Sequence, residues 1–169
     1  MHTHLLLSWL VACVVLLAIL AVAAQNLAGS ANVDRYFLRD SLLTPAERSF
    51  YGVLRSLDYE GVTIACKVRL VDFLGLKKGL SASERRGSLN RIVAKHVDFL
   101  LFRQSDARPV LAIELDDKSH QQENRRARDA FVDGVFAEVG LPIVRFAARA
   151  SYNPKEILRV IDDAMSKNA

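Results

Sequence analysis

Acidic side chains gather at the end of an apolar run in "VLAIELDDKSH", residues 110–120. They are Glu114, Asp116 and Asp117, followed by Lys118 and His120. Another acid, Asp98, interrupts the apolar stretch "KHVDFLLFR", residues 95–103. A carboxylate buried in a strand is costly unless it is paired or metal-bound. Two carboxylates meeting at one end of a sheet repel unless a cation lies between them. Hard oxygen donors of this kind suit Mg2+, with Mn2+ as its substitute, and Mg2+ usually keeps waters and substrate phosphate in its other positions. Such an ion activates water and stabilises charge on a scissile phosphate. The competing explanation for Glu114 is an ion pair with Arg145 in "LPIVRFA", residues 141–147. Asp116 and Asp117 have a structural alternative too, as caps of the following loop or helix.

The elements that must position these residues follow from hydrophobic period and punctuation. "LTPAERSFYGVLRSL" predicts a helix over 45–57. Thr44 is its N-cap, Pro45 its first residue and Glu47 the third member of a capping box, with Phe50, Val53, Leu54 and Leu57 on one apolar stripe. Residues 62–74, "VTIACKVRLVDFL", predict a strand from β-branched content and partial alternation. Residues 75–91 are rich in Gly, Ser and charge and read as a mobile loop, with at most a helical turn. Residues 95–103 form a strand, 104–109 a hairpin-type turn, and 110–115 a strand buried on both faces. Residues 124–140 predict an amphipathic helix with Ala127, Phe131, Val135 and Val139 inward and Gly140 as C-cap. Residues 141–147 are a further buried strand, and 153–165 a closing helix that starts at Asn153 and Pro154. The order α–β–β–β–α–β–α predicts an α/β fold, a mixed four-stranded sheet covered by helices. Pairing about the 104–109 turn does not by itself set Asp98 opposite Glu114; a bulge brings both to the same end of the sheet.

The 169 residues allow one ordinary domain and an appendage. Residues 5–24 contain no charged side chain and match the length of a bilayer core. Ala21, Ala23 and Ala24 loosely resemble a signal-peptidase site, but no Lys or Arg precedes the run and it is longer than a usual signal core. The expectation is one N-terminal transmembrane anchor over 1–24, a linker over 25–43 and a domain over 44–169. Arg35 and Arg39 follow the run, which places the domain on the cytoplasmic side of the inner membrane in a single-pass topology. Cys13 lies in the apolar run and Cys66 is alone in the domain, so no disulfide forms within it, in keeping with a reducing compartment.

The net charge is +4, and residues 67–95 hold eight Lys or Arg against two acids. This patch, with Lys77, Lys78, Arg85 and Arg86, suits DNA or an anionic membrane surface. It lacks interleaved aromatics, which argues against a dedicated single-strand binder. Arg125, Arg126 and Arg128 sit where cations oppose a helix dipole. They read as a solvated helix face, or as cations placed for phosphate contact or for pairing with Asp116, Asp117 or Asp129.

"LTPAERSFY", "KHVDFLL", "IELDDKSH", "RRARDAFVD" and "GLPIVRF", in this order, resemble an uncharacterised bacterial family, domain of unknown function 2726, over about residues 42–147. Asp98, Glu114-Leu115-Asp116 and the helix and strand that follow also resemble the restriction-endonuclease-like PD-(D/E)xK superfamily, in its very-short-patch-repair branch. That resemblance implies an α-β-β-β-α-β nuclease core acting on DNA phosphodiesters. It implies Asp98, Glu114 and the Leu115 carbonyl as Mg2+ ligands, and Glu47 reaching the metal through water. Asp116 stands where the superfamily has a lysine that orients the attacking water. Lys118 or His120 is the implied substitute, His120 as base or as proton donor to the leaving oxygen. The departure leaves open a catalytically weakened nucleic-acid-binding module of the same fold, or a basic protein of the membrane surface. Oligomeric state is not readable from the sequence.

Overall fold

The computed structural model describes residues 2–30, 35–57, 59–116 and 122–167, with side chains of the first helix over 8–24 and of the 122–139 helix from 130 onward. The chain divides into two units, residues 1–40 and 41–169. In the first unit, helix α1 runs from His2 to Ser30, six residues past the expected start of the linker. Its side chains over 8–24 are all exposed, Trp9 and Leu17 among them. Among the described residues no helix is long and apolar enough to cross a membrane.

In the second unit, α2 (Pro45–Ser56) begins at the expected capping box: Thr44 accepts from the Glu47 backbone N–H, and Glu47 accepts from that of Thr44. The strand expected over 62–74 ends earlier. β1 covers Val62–Arg69, and the one-turn helix α3 takes Leu70–Phe73. The segment expected as a loop contains the eleven-residue helix α4 (Ala82–Ile92), opened by a second capping box between Ser81 and Glu84. The Ser-x-x-Glu signature was in the sequence, but Gly87 and the lack of an apolar stripe hid it; Ile92 is the only buried residue of this helix. Such a helix relies on its cap. Ser81→Ala is therefore expected to cost about 1 kcal/mol, read as a fall of about 4 °C in Tm by circular dichroism.

β2 (His96–Arg103), β3 (Pro109–Asp116), α5 (Gln122–Val139), β4 (Ile143–Ala147) and α6 (Pro154–Ser166) complete the unit. The sheet order is β1-β2-β3-β4. The first three strands are antiparallel, and β4 lies parallel to β3 after the α5 crossover, giving the expected mixed four-stranded α/β arrangement. Alternation along the strands divides the core between the two faces of the sheet. Phe99, Leu101, Leu111 and Ile113 pack with Phe50 and Leu54 of α2 and Ile157 and Ile161 of α6. Val97, Leu100 and Ala112 pack with Leu70, Ile92, and Val132 and Phe136 of α5. The buried stripe of α5 is thus Val132 and Phe136. The expected Phe131 and Val135 flank it, Val139 is exposed, and the side chain of Ala127 is outside the described residues. The stripe is shifted because α5 leans onto the sheet with the residues one position along the helix.

Candidate functional site

A bulge brings the two strand acids together. Near the β2–β3 turn Phe102 faces Pro109, while Leu101 faces Leu111, so Val110 is the extra residue. The new register continues through Leu100–Ala112 to Phe99–Ile113, and the next positions on the two strands are Asp98 and Glu114. Glu114 shares the alternation of Ala112 and lies on the sheet face that α5 covers, while Asp98 stands where the alternation of β2 breaks, between Val97 of that face and Phe99 of the other.

Each acid already has a protein cation. Lys67 Nζ donates to Asp98 Oδ1 at 2.8 Å and to Glu47 Oε1 at 2.6 Å. Lys67 occupies the β1 position between the pairs Cys66–Phe99 and Val68–Val97, across from Asp98. Its backbone is left-handed, with φ 55°. That conformation is strained for a lysine, of order 1–3 kcal/mol, and persists only where the surroundings impose it. The other Asp98 oxygen, Oδ2, accepts from the Leu115 backbone N–H at 2.8 Å. Glu114 lies beside its register partner Arg145 in β4, whose Nε donates to Glu114 Oε2 at 3.0 Å. Arg145 Nη2 lies 2.7 Å from Asp133 Oδ1 on α5, a charge contact without hydrogen-bond alignment. The ion pair between Glu114 and Arg145 anticipated from the sequence is therefore present.

Glu47 and Glu114 are shifted in opposite directions. Burial pushes the Glu47 carboxyl up, but the bonds from Lys67 and Thr44 outweigh it and hold Glu47 below the usual carboxylate range. Burial also pushes Glu114 up; Arg145 opposes it, while Asp98 and Asp116 add to it, and the net shift is upward. Burial disfavours the Lys67 ammonium, yet its bonds to Asp98 and Glu47 raise its pKa overall.

Asp98, Glu114 and Asp116 line one open cleft of about 270 Å³, together with Asn90, Arg91, Lys95 and His96. Three of the expected residues are therefore side by side. Leu115 also borders this cleft. Glu47 does not line it and connects to Asp98 through Lys67. Lys118, His120 and Asp117 lie outside the described residues, as do the side chains of Arg125 and Arg126. Of the expected basic contacts, Lys77 is paired with Glu138 at 2.6 Å, Lys78 is exposed, and Arg85 and Arg86 are exposed on α4; none lines the cleft. Lys67, Arg91 and Lys95 entered the sequence reading only as members of a basic excess, and His96 not at all. The signal for Lys67 was a charge inside the apolar strand "IACKV", the same signal that marked Asp98.

The donor set is of hard oxygens and fits a hydrated ion of the Mg2+ type, which needs only one or two carboxylates and keeps its waters. Among the described residues, no three His, Cys, Asp or Glu side chains converge to hold a metal by themselves. No curated protein and no solved structure matches the chain. A family profile matches residues 39–165, which extends the sequence resemblance at both ends and takes in most of α6. The chain belongs to that family, described as a protein of unknown function (DUF2726).

Proposed function

We propose that this domain is a Mg2+-dependent phosphodiesterase of the PD-(D/E)xK kind, acting on DNA and tethered to the inner membrane by the N-terminal helix, with the domain on the cytoplasmic side. The observation that carries this reading is the meeting of Asp98, Glu114 and Asp116 in a cleft whose rim is basic. A surface that only bound phosphate would gain nothing from three acids beside the polyanion. Glu114 and Asp98, with the Leu115 carbonyl, would hold the ion, and a bound Mg2+ would supply polarisation of the phosphate and an activated water. Lys67 holds Asp98 in place from one side and the Leu115 N–H from the other. Lys118 and His120 are the proposed partners of the attacking water and the leaving oxygen. The tether rests on residues 5–24, which are uncharged and helical.

One observation favours a second reading, a weakened site that binds nucleic acid without cutting it. Lys67 and Arg145 already neutralise much of the charge that a metal would neutralise. Plasmid relaxation separates the two. The full chain in neutral detergent is expected to nick supercoiled plasmid in millimolar Mg2+ or Mn2+ and to lose that activity in EDTA. Duplex binding with no cleavage under any divalent ion supports the binding module instead.

A further inference from the structure

We propose that Arg91 and Lys95 form the phosphate-contacting rim of the cleft, the subsite that seats the backbone of a nucleic-acid duplex beside the carboxylates. This rests on the reading above only in taking a phosphodiester as the ligand. Arg91 lies at the end of α4 and Lys95 just before β2, and both stand over the same aromatic ring. The Arg91 Cζ is 4.0 Å and the Lys95 Nζ 5.9 Å from the centre of Phe131. Phe131 is itself packed against the buried cluster of Leu70, Ile92 and Phe136, so the ring is a fixed platform.

This mode of support differs from that of other cations of the domain. Lys67, Arg69, Lys77, Arg103 and Arg145 are each paired with a carboxylate. Among the described residues no ion pair joins Arg91 or Lys95 to an acid. The aromatic face holds them by its quadrupole and carries no net charge, so it cancels none of their charge toward an incoming anion. Arg91, Lys95, Asp98, Glu114 and Asp116 all line the same cleft. Arg91 adds a planar fork of donors that matches phosphate oxygens, and Asn90 and His96 on the same rim add further polar groups. A cation that serves only solubility needs no ring beneath it. Two that are oriented by one ring, at the mouth of an acidic cleft, are placed for an anion that spans rim and floor.

The test is the salt dependence of binding to a fluorescently labelled DNA duplex, measured by anisotropy on the full chain in neutral detergent and EDTA. Without divalent ions cleavage is off, so a failed metal site does not affect the readout. Each phosphate contact contributes about 0.9 to the slope of log K against log salt. Arg91→Gln with Lys95→Gln is expected to weaken binding and to lower the slope by nearly 2. Arg85→Gln with Arg86→Gln removes the same charge from α4 away from the cleft, and is expected to change the slope much less. Phe131→Leu keeps every charge and is expected to weaken binding with the duplex at fixed salt, because the cations lose their platform. An unchanged slope in the Arg91 and Lys95 variant overturns the proposal. So does an equal loss in the Arg85 and Arg86 variant, or the absence of duplex binding by the wild-type protein at low salt.

Discussion

Lys67→Met is expected to lower the stability of the protein by about 2–3 kcal/mol. Removing one partner of a buried pair typically costs about 3–5 kcal/mol. The Lys67 side chain is 22% exposed, so the effect lies below that range. The reason is specific to this lysine: among the described residues it alone bridges Glu47 and Asp98. Without it, two half-buried carboxylates face each other with no cation between them, and one protonates more readily. The loss therefore depends on pH. In the wild type, the Glu47 pKa lies below its ordinary value of 4.5. Its pairing thus contributes stability above the unfolded-state pKa, and that contribution disappears as pH falls through the lower folded-state pKa. The variant has the opposite dependence, since acidification relieves its repulsion. Urea unfolding of both proteins between pH 7 and pH 4 checks this: the gap is expected to be widest at pH 7 and to close on the acid side. Adding Glu47→Gln to Lys67→Met is expected to recover part of the loss. A gap below about 0.5 kcal/mol at pH 7, the size of an ordinary surface change, contradicts the role given to Lys67.

Glu114→Ala is expected to abolish divalent-ion-dependent cleavage, a fall of more than about 100-fold. Groups that only orient metal ligands cost 10–100-fold when removed, and a direct ligand should cost more. The variant also takes from Arg145 one of its two acids, leaving Asp133. A modest loss of stability is expected alongside. Glu114→Gln separates the two effects, because its amide oxygen still accepts from Arg145 Nε while the charge needed for a cation is gone. Loss of cleavage in both variants, with stability retained in the glutamine form, assigns the effect to the site and not to folding. Cleavage retained in Glu114→Gln removes Glu114 from the metal site.

Much of this architecture was legible because local chemistry and global fold agree. The Thr44–Glu47 capping box, the Asn153–Pro154 start of α6 and the unbroken apolar run of β3 each specify one structure, and each is found. The α4 helix was not legible, because its polar sequence lacks the apolar period that marks a packed helix, and its Ser81–Glu84 capping box was its one signal. In the site, Asp98 and Glu114 stood out as acids in apolar strands. Their alignment depends on the single bulge at Val110, which no residue type announces. Lys67 was hidden for another reason: its partners lie 20 and 31 residues away, and only folding shows that one ammonium serves both. The same holds for Arg91 and Lys95, which meet over Phe131 only after α5 crosses the sheet.

The central claim is that Asp98 and Glu114 hold a divalent cation. Calorimetric titration of Mn2+ into the full chain, wild type against Glu114→Ala, tests it without reliance on any substrate. The account predicts saturable binding by the wild type at or below millimolar ion, and none by the variant. No binding by the wild type at millimolar Mn2+, or equal binding by both proteins, contradicts it and leaves Lys67 and Arg145 as the cations that pair with these carboxylates among the described residues.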